Sequence, residues 1–185
     1  MAKLIQLLII HCTATPEGRP VTPQEIRDWH TWPKLQHNGK LRYMGKDYSL
    51  DDTLPAAVRN KRGRGWRQVG YSDLILLSGN IANLVKYNDD NIVDPWEITN
   101  GVAGINGQAR HIVYAGGTDA KGNAKDTRTA AQAQTLLQYC KNMIKLYPHI
   151  KIGGHNQFDK KDCPSFDVPA WLRKVGIPEK NIYAN

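Results

Sequence analysis

The chain has 185 residues, 41% hydrophobic and 23% charged, with 25 Lys and Arg against 17 Asp and Glu for a formal charge of +8. This excludes a disordered, collagenous or membrane-spanning chain, and a folded chain of this size buries about 70% of its unfolded surface, enough for one domain with its own core. Three cysteines are too few for a disulfide scaffold, so reduced thiols are expected. The positive charge predicts attraction to polyanions such as nucleic acid, an anionic envelope polymer or a membrane surface, without choosing among them. The apolar N-terminal run has no small-residue cleavage site after it and reads as a buried strand rather than an export signal.

Leu4 to Ile10, interrupted only by Gln6, has the length and apolarity of a central strand buried on both faces, and it delivers His11 to a strand end. Thr22-Pro23-Gln24-Glu25 is a capping box with Pro at the first helical position and predicts a helix from 23 to 32, with Ile26, Trp29 and Trp32 toward the core. From 33 to 64 the pattern dissolves into Gly, Asn, Asp and mixed charge, an excursion loop ending in a cluster of Arg59, Lys61, Arg62, Arg64 and Arg67. Residues 70–77 and 81–85, separated by Ser78-Gly79-Asn80, read as a hairpin. His111 to Ala115 is a short strand closed by two glycines, and Thr129 with Gln132 caps a helix that Pro148 stops. Ile150 to Ile152 forms a last strand, and a short helix runs from 168 to 175 behind Asp167. The alternation predicts one α/β domain at 1–176, a mixed central sheet flanked by helices, followed by a tail at 177–185.

Two histidines, His11 and His155, lie just past strands, and Cys163 follows His155 by eight residues. Imidazole nitrogen and thiolate sulfur are ligands that Zn²⁺ favours, and three protein ligands leave a fourth position open for catalysis. The residues alone favour the plainer reading, two satisfied strand-end imidazoles and a small buried thiol.

Five segments then carry a resemblance: I-I-H-C-T-A-T at 9–15, E-I-R-D-W-H at 25–30, G-W-R-Q-V-G-Y at 65–71, G-G-T-D-A-K-G-N at 116–123, and G-G-H-N-Q-F-D-K-K-D-C-P-S-F-D at 153–167. In this order, across most of the chain except about 33–64, they resemble the type 2 N-acetylmuramoyl-L-alanine amidases, a family that includes small phage lysozyme amidases and peptidoglycan recognition proteins. The resemblance implies that fold, zinc held by His11, His155 and Cys163, and catalytic roles for Tyr71 and Lys161. It implies hydrolysis of the amide joining N-acetylmuramic acid to L-alanine of the stem peptide, with Lys161 neutralising the oxyanion and Tyr71 orienting water, donating to the oxyanion or relaying a proton. Taken without the resemblance, Lys161 is one lysine in a charged loop and Tyr71 an aromatic that packs at a strand start.

The chain departs from the family pattern in three places. Ser72-Asp73 stand where most members have His and an aromatic, Gly101 where a histidine is frequent, and 111–115 holds no acid where some members place a catalytic Glu. The general base therefore falls to Tyr71 or to the metal's water. The 33–64 excursion is expected to wall the substrate groove. The basic cluster, Arg64 and Arg67 in particular, is either a solvated loop or a contact for stem-peptide carboxylates. Cys12 is expected on the opposite side of the strand from the ligands, and His30 as a structural histidine. The expected enzyme is a monomer acting on peptidoglycan, with no nucleic-acid partner and no membrane insertion, in the manner of a phage or prophage lysin released by a separate permeabilising factor. The alternatives are a non-catalytic peptidoglycan-binding module of the same fold and, less supported, a basic nucleic-acid-binding domain with structural zinc, for which no recognised motif speaks.

Overall fold

A computed structural model describes residues 3–49 and 54–184. The central sheet has five strands, β1 (Leu7–Cys12), β2 (Asp73–Ile75), β3 (Ile81–Asn83), β4 (Ala109–Tyr114) and β5 (Lys151–Gly154), in the order β5-β1-β4-β2-β3. The first four in that order run parallel, and β3 is an antiparallel edge strand hairpinned to β2. The expected mixed α/β domain is therefore what the chain forms.

Every residue of β1 and β4 is buried, as two-sided burial of parallel strands demands. Alternation along β1 divides the core: Leu8 and Ile10 pack with Leu136, Cys140 and Leu172 on one face, while Leu7 and Ile9 join Val102 and Ala109 on the other. The first strand is shifted from the expected 4–10. Its ladder with β4 runs on to Cys12, so His11 lies inside the strand rather than past its end.

Both capping boxes form. Thr22 opens α1 (Pro23–Thr31) and Thr129 opens α2 (Ala130–Leu146), while Asp167 caps α3 (Val168–Lys174). Gln132 does more than close its box. It is fully buried, and its Nε2 donates to the carbonyls of Ile75 and Ala115 at 3.2 and 2.9 Å, tying α2 to the ends of two strands. On α1, Ile26 is buried as expected, but Trp29 and Trp32 are only partly covered.

Two expectations need correction. The 33–64 excursion, of which residues 50–53 lie outside the described residues, is not a bare loop: 34–35, 41–43 and 46–48 form a small antiparallel sheet. The chain then returns along the end of α1, where the N–H groups of Arg64, Gly65 and Trp66 donate to the carbonyls of Trp29, Trp32 and His30 and satisfy acceptors that a helix end leaves orphaned. Nor is the segment after 176 a tail, residue 185 of it lying outside the described residues. Ile177 and Ile182 are buried in the main core, and buried Asn181 donates to the carbonyls of Pro148 and Ile150. Too short to show periodicity, this segment is held by burial and side-chain bonding instead.

Replacing Gln132 by Leu should lower stability by about 2 kcal/mol, because the apolar side chain leaves the Ala115 carbonyl and the Thr129 N–H without their partner and removes the second bond to the Ile75 carbonyl, which keeps the Ala115 N–H. Chemical denaturation checks this; an unchanged midpoint would contradict the role given to Gln132.

Candidate metal centre and active site

The site grows from strand register. β5 pairs with β1 so that Gly154 lies opposite Ile10, and the residue after each is a histidine, His11 still within β1 and His155 just past the end of β5. Their Nδ1 atoms stand 3.1 Å apart. Cys163 arrives on the loop after β5, which is anchored where the buried Tyr114 hydroxyl donates to the Pro164 carbonyl at 2.7 Å and the Asn156 N–H donates to Cys163 O at 2.7 Å. Its Sγ accepts the Cys12 N–H at 3.3 Å and lies 3.6 Å from His11 Nδ1. One donor atom from each of the three residues falls within a 4.8 Å cluster.

These spacings fit a tetrahedral zinc. Ligand bonds of about 2.05 Å to nitrogen and 2.3 Å to sulfur imply N···N near 3.3 Å and N···S near 3.6 Å, roughly the separations seen. Burial, reinforced by His111, His155 and Lys161, holds His11 well below the usual imidazole range, and burial with Lys161 likewise lowers His155 against the pull of Asp159. Both imidazoles are thus neutral, the form that ligates. The hydrogen bond shared with Cys12 and burial push the Cys163 thiol up, while the Cys12 N–H and Lys161 draw it down.

The cluster opens into a cleft of about 550 Å³. Tyr71 lines it, with its ring 5.0 Å from that of His11. Burial, then the two nearby cysteines, raise the Tyr71 phenol far above neutrality, so it stays protonated. Lys161, half exposed, overhangs the same cleft, its Nζ 3.0 Å from Asp159 Oδ2, which in turn stands 4.0 Å from His155 Nε2. Arg64 lines the cleft beside Trp66, whereas Arg67 does not. Arg67 lies in an adjoining groove with Arg42, Trp96 and Ile98, which shares only Trp66 and Asn100 with the cleft. The turn at Gly65, whose φ is +68° and whose Cβ would strike the Arg42 carbonyl at 2.3 Å, leads the chain into this two-groove arrangement.

Sequence reading missed His111. It is fully buried on β4, and its Nδ1 lies 3.0 Å from His11 Nε2. Burial, with His155 and Arg110, pushes its pKa down to about 3. The one available signal was a histidine inside an otherwise apolar strand. Ser72 and Asp73, expected to alter substrate contacts, are instead buried away from the cleft; Asp73 accepts from Tyr139, Tyr87 and Asn83. Cys12 is not one of the three clustered donors and packs on the Leu8 and Ile10 face, as alternation predicts, with its Sγ 3.6 Å from Ser165 Oγ; its thiol nevertheless shares a hydrogen bond with Cys163 and lines the cleft. His30 is structural: its Nδ1 accepts the Gly70 N–H at 3.1 Å, and its ring packs between Trp66 and Tyr71.

No family model matches the chain. It is 26% identical over 167 residues to the endolysin of Klebsiella phage KP32, covering 90% of this chain and 85% of the relative. Among solved structures, the Ph2119 endolysin from a Thermus scotoductus bacteriophage has a TM-score of 0.58 at 21% identity, covering 99% of this chain and 88% of that one. The N-acetylmuramoyl-L-alanine amidase LysC of Clostridium intestinale has a TM-score of 0.57 at 17% identity, covering 96% and 91%. A Tyr-to-Phe mutant of Drosophila PGRP-LB in complex with tracheal cytotoxin has a TM-score of 0.59 at 16% identity, covering 100% and 86%. Among the described residues, no helix is long and apolar enough to cross a membrane.

His30 generates a pH prediction. Burial, with Arg64 adding, lowers its folded pKa to about 4, against about 6.5 when unfolded. The unfolded chain therefore takes up the proton first, and the stability His30 contributes is present above pH 6.5 and lost as pH falls toward 4. Between pH 7.5 and 5 this amounts to about 2 kcal/mol. His30→Asn, which keeps an acceptor for Gly70, should show a pH dependence flatter by that amount in denaturant titrations; an equal slope would contradict it.

Proposed function

We propose that this chain, an amidase-2 and peptidoglycan-recognition-protein-like protein, is a phage-type endolysin that hydrolyses peptidoglycan as a zinc-dependent N-acetylmuramoyl-L-alanine amidase. The observation that carries the reading is the convergence of His11, His155 and Cys163, the last two lining a cleft that also holds Tyr71 and Lys161. The endolysin and amidase names of its relatives and structural neighbours support the reaction class.

His11 and His155 would hold zinc through Nδ1 and Cys163 through Sγ. Zinc, when bound, supplies Lewis-acid polarisation of the scissile carbonyl and acidification of a water molecule. The protein's own groups complete the chemistry. Lys161 places an ammonium where negative charge develops on the carbonyl oxygen, and Asp159 holds that ammonium over the cleft. The protonated Tyr71 hydroxyl orients the attacking water or donates to the oxyanion. Burial keeps the phenol protonated, so Tyr71 acts here as a donor rather than as a general base.

The substrate is the stem-peptide junction of peptidoglycan, and the place of action is the cell wall, reached through a separate permeabilising factor. Arg64, which ends the 33–64 insertion, and Trp66 just beyond it form part of the cleft wall, with Arg64 in position to pair with stem-peptide carboxylates. Arg67, in the adjoining groove, contacts only the more distant parts of a long substrate.

Purified protein loaded with zinc should release L-alanine amino termini from sacculi. Cys163→Ala should lose both the metal and the activity, whereas Lys161→Ala and Tyr71→Phe should retain zinc and lose on the order of a hundredfold or more in turnover. Metal content and amine release, measured together, decide the matter. Tight sacculus binding without new amino termini would instead make the chain a peptidoglycan-binding module, and wild-type rates in Lys161→Ala and Tyr71→Phe would overturn their roles.

A further inference from the structure

We propose that His111 is a positioning residue for the metal centre, accepting a hydrogen bond from His11 Nε2 and so committing His11 to the tautomer whose Nδ1 lone pair faces the other two ligands. The inference rests on the zinc reading above. Three observations independent of any sequence resemblance carry it: the 3.0 Å contact between His111 Nδ1 and His11 Nε2, an orphaned ring nitrogen, and a cradle that only glycine leaves open.

The proton bookkeeping is forced by geometry. His11 and His155 both meet the ligand cluster through Nδ1, so both Nδ1 atoms must be unprotonated when a cation sits there. His11 then carries its proton on Nε2, and the acceptor within reach is His111 Nδ1. His111 in turn carries its own proton on Nε2, the one nitrogen of the trio that is buried without a partner. The opposite arrangement, with His111 donating from Nδ1, places a proton on His11 Nδ1, where the metal requires a lone pair. A buried unpaired polar atom is a standing cost that a leucine of similar size would avoid, so the imidazole is retained for what its other nitrogen does.

The surroundings are cut to this ring. A Cβ on Gly101 would lie 2.2 Å from His111 Nδ1 and 2.6 Å from its Cγ and Cε1, so any side chain at 101 would displace the imidazole. In this chain the strand supplies an imidazole and the facing loop supplies the space for it.

Zinc affinity by chelator competition tests the proposal without recourse to activity. His111→Leu should bind zinc about 10- to 100-fold more weakly, the usual effect of removing a group that orients a metal-bound histidine. His111→Asn, which keeps an oxygen acceptor near the Nδ1 position, should recover most of that loss. Gly101→Ala should weaken zinc binding with His111 present and add nothing in the Gly101→Ala, His111→Leu double variant, the non-additivity expected of one shared interaction. Should His111→Leu fail to fold, long-range ¹⁵N correlation spectra of the zinc-loaded wild type still decide: both His11 and His111 should be protonated at Nε2. Equal zinc affinity in wild type and His111→Leu, or a proton on His111 Nδ1 in the loaded protein, would overturn the role of His111 alone. A wild type that takes up no zinc would overturn the metal reading and this inference with it.

Discussion

Two histidines 144 positions apart can share an ion only because β1 and β5 run parallel, in contact, and in one register, with Gly154 opposite Ile10. A one-residue slip of β1 would turn His11 to the face packed by α2 and bring Ile10 or Cys12 to the ligand side. What holds the register is apolar: Leu8 and Ile10 on one face, Leu7 and Ile9 on the other, all almost fully buried. The polar centre thus depends on the hydrophobic alternation of the strand that bears it. Functional groups gathered at the carboxyl ends of parallel strands follow the general rule for such sheets.

Around this fixed point the surrounding segments do different work. The loop after β5 is held by Tyr114 and Asn156 so that a thiol is delivered without a regular element beneath it. The 33–64 insertion folds into its own small sheet and returns along the carbonyl end of α1, which is how Trp66 and Arg64 reach the cleft. A surplus of positive charge at that rim suits an anionic polymer, and its reach is set by ionic strength because these guanidiniums are exposed.

Much of this was legible in the residues, and the limits have physical causes. The capping boxes at Thr22 and Thr129 announced two helices because capping is local chemistry written in four consecutive positions. His11, His155 and Cys163 stood out because they lie in segments with a family pattern. His111 did not, since its importance arises across the sheet: it requires β4 beside β1, the side-chain alternation that turns it toward His11, and an empty space at Gly101. Arg64 and Arg67 looked equivalent in a basic run, yet face different grooves once the chain turns at Gly65. The segment 177–184 read as an appendage because Ile177 and Ile182 are too sparse to show a period, although both enter the core.

Zinc-edge X-ray absorption on the loaded protein tests the central claim most directly, since it counts the atoms around the ion. Two imidazole nitrogens at about 2.0–2.1 Å and one sulfur at about 2.3 Å are predicted, the sulfur vanishing in Cys163→Ala. A shell of nitrogen and oxygen alone in the wild type would show that these three side chains do not share a metal.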